Sequence, residues 1–172
     1  MPSRPFCNVY ASDFDHDLVN ALVVSGFPRV VPSDGLQGPE GIAVDRTGDV
    51  LVSDTGNARV ISVSPDGAQT ELPFSGLDRP AGVTAGASGD VYVADSGNHR
   101  VVSLPSGGNQ VTWPFQDLVD PRAVVEVQDG HQTPTLWVSD AGNGTVEKRT
   151  PSSQTRVAAG LRDPQGLTGP AT

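Results

Sequence analysis

The chain has one cysteine, Cys7, in 172 residues, so an intrachain disulfide and a CxxC metal or redox motif are both excluded. Aromatic residues make up 5% of it, which leaves Val, Leu, Ile and Ala to build any core. No apolar run approaches the length of a membrane span. The opening MPSRPFCNVY has no apolar stretch after its arginine, so it does not read as a secretory leader. As written, a soluble cytoplasmic protein is expected, or an extracellular one if the chain belongs to a longer receptor polypeptide. Basic residues are also scarce. Eleven stand against 20 acidic ones, a net charge of −9, and a field of that sign repels nucleic-acid phosphates and anionic lipid.

Histidine is limited to His16, His99 and His131, and no HxH or HExxH pair groups them for zinc. Glycine and proline are plentiful, at 20 and 15 residues, and they recur at regular intervals. That spacing favours a turn-rich all-β protein over a disordered tract.

The spacing comes from a repeat. LQGPEGIAVDRTGDVLVSDTGNARVISV begins at Leu36 and LDRPAGVTAGASGDVYVADSGNHRVVSL at Leu77, 41 residues on. A third copy begins at Leu118, with four extra residues between Val127 and Leu136, and a fourth opens at Leu161 as LRDPQGL. At the N-terminus, residues 8–22 fit under 90–104 and residues 31–36 under 72–77. The chain thus starts midway through one unit and ends at the beginning of another. Residues 8–169 form one expected domain, preceded by a short extension, 1–7.

Each unit reads as four short strands, in the second complete copy near 82–86, 90–95, 100–104 and 110–115. VYVAD and RVVSL have strand periodicity, and Gly-Asp, Gly-Asn and Pro-Ser-Gly clusters punctuate them as hairpin turns. Four strands per unit of about 40 residues is the spacing of a β-propeller blade.

The Pro-x-Gly-[Ile/Val] entry, the Gly-Asp-Val-x-Val-x-Asp strand and the Asp-x-Gly-Asn-x-Arg-Val turn resemble NHL repeats. LPFSGLDRPAGV (72–83) and WPFQDLVDPRAV (113–124) further resemble the extracellular propeller of mycobacterial receptor serine/threonine kinases. The resemblance implies an all-β propeller of NHL type with four blades' worth of sequence. That is either a closed four-bladed ring, with residues near 165–168 completing the sheet begun by 8–33, or part of a larger propeller whose open edges would drive association. NHL propellers include sensors, scaffolds, RNA binders and a few metal-dependent enzymes, so the resemblance leaves function open. No glycine-rich nucleotide loop, HRD or DFG motif is present.

Residues that recur from copy to copy are expected to be architecture. Asp54, Asp95 and Asp140, Asn57, Asn98 and Asn143, and Arg59 and Arg100 are assigned to the blade hairpins. There the aspartate would accept hydrogen bonds from the turn's own amides and Gly-Asn would supply the unusual φ values. Positions that differ between copies are the candidates for function. Glu40, Ala81, Arg122 and Gln165 follow the repeated proline, on the face where propeller ligands bind. With Arg79 and His99, the polar ones form the expected ligand-binding set for a small molecule, glycan or protein.

Asp13, Asp15, His16 and Asp17 replace the hairpin turn in the first copy. They alternate like the opening of a calcium loop, but Leu18 and Val24 stand where that loop needs Gly and Glu, which excludes an EF-hand. A solvated hairpin tip is the preferred reading and a looser Ca²⁺ site the alternative; no other cofactor is expected. Asp95, Ser96 and His99 share one hairpin, which seldom orders a nucleophile and base. His131 lies in a longer loop on the opposite face. A non-catalytic binding or sensor module is therefore expected, with a metal-dependent hydrolase or lyase, or a portion of a kinase sensor, as alternatives. Three departures mark weaker blades: Ala123 for the entry glycine, and Thr145 and Leu18 for the arginine.

Overall fold

The computed structural model describes residues 8–23, 29–128 and 133–168. The extension 1–7, His131 and residue 169 lie outside the described residues. Fifteen strands form four antiparallel meanders among those described. The first sheet holds β1 (Asn8–Asp13), β2 (Leu18–Val23) and β3 (Arg29–Val30). The second holds β4 (Pro39–Val44), β5 (Val50–Asp54), β6 (Arg59–Val63) and β7 (Gln69–Glu71). The third holds β8 (Pro80–Ala85), β9 (Val91–Asp95), β10 (Arg100–Leu104) and β11 (Val111–Trp113). The fourth holds β12 (Pro121–Val127), β13 (Thr135–Asp140), β14 (Thr145–Arg149) and β15 (Gln154–Ala158).

The inner sheets are apolar on both faces, because each is packed between two neighbours. Along β9, Val91 and Val93 join a core with the second sheet, while Tyr92 and Ala94 join one with the fourth. Tyr92 is fully buried and meets Trp113 edge to face, with centroids 6.0 Å apart. Burial pushes its phenol well above the usual range. Sheets stacked face to face, three of them four-stranded meanders with the first strand innermost, make a β-propeller.

Four sheets share three cores: first with second, second with third, and third with fourth. Val50 and Val63 pair across β5 and β6 and are buried against the first sheet. Val9 and Leu22 hold the same places in the first sheet and pair likewise, yet they are 59% and 42% exposed. Residues 161–168 carry no strand, and the first sheet has three. Among the described residues, 165–168 therefore add no fourth ladder to that sheet, though they lie on the same axial cavity as Ser12 and Phe14 of the first sheet and its hairpin.

Candidate functional site

The repeated hairpins are clamps. Asp54, fully buried at the end of β5, accepts the Gln37 amide on Oδ1 at 2.7 Å. Its Oδ2 accepts Asn57 Nδ2 at 2.8 Å and Arg59 Nε at 2.7 Å. Asp95 repeats the set with the Asp78 amide, Asn98 and Arg100. The amide bound comes from the loop entering the blade, not from the turn itself, which corrects the expectation. That loop lacks a backbone partner for its N–H, and the buried carboxylate supplies one.

In the fourth sheet Thr145 takes the arginine's place. Asp140 there accepts two loop amides, Val119 at 3.0 Å and Asp120 at 2.8 Å, besides Asn143 at 2.7 Å. The unusual φ falls one residue later than expected. It is +57° at Asp17, +53° at Ala58, +55° at His99 and +63° at Gly144. The turn glycine serves closeness instead, since a Cβ on Gly56 would lie 2.8 Å from the Gln37 carbonyl oxygen.

The clamps set where the inner strands begin. Each inner strand opens on its proline, which needs no ladder partner for an N–H it lacks. A register shift follows in all three. The next glycine lets neighbours close up: a Cβ on Gly41 would lie 2.2 Å from the Ala81 oxygen, and one on Gly82 2.5 Å from the Arg122 oxygen. Hydroxyls tie the same junctions, from Thr55 to the Pro80 carbonyl at 2.7 Å and from Ser96 to that of Pro121. After the fourth sheet both devices lapse. Ala123 replaces the glycine and Ala141 the hydroxyl, and an added Cβ on Gly166 meets nothing within 4 Å among the described residues.

These strands, with Ser12, Phe14 and residues 165–168, line an open cavity of about 600 Å³ on the axis. Glu40, Ala81, Arg122 and Gln165, the variable positions after the repeated proline, all line it. Arg122 Nη1 reaches Glu40 Oε2 at 3.4 Å, bridging β4 and β12 past the small Ala81 of β8. Its Nη2 and Nε also hold Asp120 Oδ2, at 2.9 and 3.0 Å. Gln165 donates its amide to Asp163, and Ser12 its hydroxyl to the Glu40 carbonyl at 2.8 Å. Phe14, 57% exposed, also lines the cavity. Ser12 and Phe14 escaped the sequence reading because they belong to β1 and its hairpin. They reach the axial cavity beside residues 165–168.

Two of the expected ligand residues lie off the cavity. Arg79 is exposed in the entry loop at φ +46°, outside the lining, and the His99 ring bonds the Val119 carbonyl. Ser96, His99 and Asp95 each turn to a separate partner, so they form no nucleophile and base pair.

The acidic hairpin is likewise occupied internally. Asp13 accepts the His16 amide at 3.2 Å and ring Nδ1 at 2.9 Å, and Asp17 accepts the Gly38 amide at 2.7 Å. The hydrogen bond to Asp13 raises the His16 pKa, and the same bond lowers that of Asp13. Among the described residues no group of three or more His, Cys, Asp or Glu side chains is placed to hold a metal ion. None of their helices is long and apolar enough to cross a membrane.

The sequence model of the NHL repeat family matches residues 36–61 and 77–102, the two most regular copies. No curated protein matches the chain. Among solved structures, a chain of a nidogen/laminin complex matches with a TM-score of 0.81 and 23% identity, over 92% of this chain and 62% of that one. Virginiamycin B lyase from Staphylococcus aureus matches with a TM-score of 0.72 and 14% identity, over 91% and 53%. A gluconolactonase from Xanthomonas campestris matches with a TM-score of 0.69 and 19% identity, over 87% and 57%. The chain thus spans between half and two thirds of the length of these structures. At such identities the likeness shows the propeller fold, which here carries both enzymes and a member of a protein complex.

Proposed function

We propose that this chain is a non-catalytic binding module whose ligand occupies the axial cavity. One observation carries the reading. Glu40, Arg122 and Gln165 come from three separate inner positions, differ where the repeat is otherwise constant, and line one cavity of about 600 Å³. A repeat needs no such variation for its own packing, whereas a concave site with a few convergent polar groups is what small ligands require. A sensor role is the finer form of this reading, supported by the likeness of residues 72–83 and 113–124 to kinase sensor propellers. Catalysis has less support, because the conspicuous acids and histidines among the described residues are bound up in hairpins.

The test is a fragment library titrated against the ¹⁵N-labelled protein. Amide shifts are expected to cluster at Glu40, Ala81, Arg122 and Gln165, and Ala81→Leu, which fills the gap under the ion pair, is expected to abolish them. Shifts confined to the hairpin acids or to the opposite face would overturn the reading.

A further inference from the structure

The chemistry of the cavity wall narrows its ligand, given the binding reading above. Its charged groups are engaged with one another, and two of its polar side chains with neighbours. Arg122 directs Nη1 to Glu40 and Nη2 and Nε to Asp120. Gln165 donates to Asp163, and the Ser12 hydroxyl donates to the Glu40 carbonyl. Two acceptors remain on the wall, the second oxygen of Glu40 and the side-chain oxygen of Gln165, beside the N–H groups of Arg122 and Gln165 that these contacts leave over. One guanidinium shared by two carboxylates also leaves this group one negative charge in excess.

The surroundings add to that sign. Phe14, on the wall, stands in sequence between Asp13 and Asp15, and the whole chain carries −9. An anion would meet a guanidinium already shared between two carboxylates. A neutral polyol would find acceptors but gain nothing from the excess charge. A cation with N–H donors satisfies both, and the face of an exposed phenyl ring attracts a cation as well.

We propose that the axial cavity takes a small organic cation, an aliphatic amine. Its ammonium sits at the Glu40 carboxylate, and its hydrocarbon lies against Phe14, Ile42 and Ala81. A flexible polyamine fits the volume and the mixed wall. Arg122 then acts as a built-in competitor, since it already occupies one oxygen of the carboxylate that the ligand seeks. Removing that arginine should therefore strengthen binding, the reverse of what an anion site would do.

The probe is spermidine, titrated calorimetrically into the 172-residue protein at low salt, with sorbitol, inorganic phosphate and Ca²⁺ titrated in parallel. Glu40→Gln is expected to weaken spermidine binding about tenfold, one favourable charge contact being worth about 1.4 kcal/mol. Arg122→Gln is expected to tighten it by a similar factor. Matching melting temperatures for both variants and the parent verify that each is folded, and a second substitution, Glu40→Ala, serves if Glu40→Gln is not.

Failure to bind spermidine overturns the proposal. So does binding that ignores Glu40→Gln, which would put the amine on the acidic surface, and so does weakening by Arg122→Gln. Binding of sorbitol or phosphate that depends on these residues would sink the amine and leave the cavity reading standing. Absence of any fragment from the cavity in the preceding experiment would sink both.

Discussion

Arg122 Nη1 lies 3.4 Å from Glu40 Oε2, although 82 positions separate the two residues in sequence. The pair joins the first residues after Pro39 and Pro121, and Ala81, at the same place on the intervening strand, is too short to obstruct it. Both side chains are about a quarter exposed, at 26% and 30%, so water screens their attraction. Glu40→Gln is expected to change stability by no more than about 1 kcal/mol. Urea unfolding checks this, and a larger loss would assign the pair to the fold instead of the cavity.

The hairpin clamp should behave differently. Asp54 is fully buried and receives three donors, the Gln37 amide, Asn57 and Arg59. Asp54→Ala leaves those donors without their acceptor and is expected to cost about 3–5 kcal/mol. Arg59→Ala, which leaves the amide and Asn57 in place, is expected to cost clearly less. Thermal or urea unfolding of the two variants side by side decides it; equal losses would contradict the account.

The inner glycines separate tight junctions from loose ones. Gly41→Ala would drive a Cβ to 2.2 Å from the Ala81 oxygen, and backbone there cannot easily yield. Overpacking of this kind is expected to cost about 1–3 kcal/mol or more. Gly166→Ala, with no described residue within 4 Å of the added Cβ, is expected to be near neutral. Paired melting curves test the contrast, and a costly Gly166→Ala would mean that a neighbour covers it in solution.

Acid and histidine in the first hairpin give a pH signature. The Asp13 carboxylate holds the His16 pKa above 6.5, so the contact is complete below that pH and fades as pH rises through the raised value. His16 in turn lowers the Asp13 pKa below 3.8, so the contact is also present above that pH and lost as pH falls through the lowered value. The hairpin should be best held between those limits. Both groups are solvated, which keeps the effect local. An NMR titration is expected to give a raised His16 pKa that returns toward 6.5 in Asp13→Asn, and no change would disprove the contact.

Val9, Leu22 and Val30 are 59%, 42% and 51% exposed, on a sheet whose repeat-equivalent Val50 and Val63 are buried between blades. A second copy offers the matching type of surface at its fourth sheet, continuing the contact that neighbouring sheets already make three times. Light scattering is expected to show concentration-dependent self-association, reduced by Leu22→Asn. A sharp monomer at all concentrations would disprove it.

The blade pattern was legible in the sequence because repeats impose the same contacts at the same offset. Strands near 90–95 and 100–104 and the hairpins around Asp54 and Asp95 follow from local alternation and turn residues. The cavity positions Glu40, Arg122 and Gln165 could also be read, as variation inside a constant frame. Ser12 and Phe14 could not be, since the alternation of a β-strand and its hairpin does not say which of their side chains reach the axis. Arg79 and His99 looked equivalent to the others by face, but side-chain direction depends on loop geometry that composition does not encode.

What the sequence alone determined is periodic: the strand order within each blade, the meander, and the glycines and aspartates that each turn demands. These rest on contacts between residues close along the chain or one repeat apart. Only the tertiary structure decided that four sheets share three cores, that Asp54 clamps the entering loop, and that Arg122 crosses to Glu40. Those outcomes depend on how sheets stack about the axis, where distance in space has no fixed relation to distance in sequence.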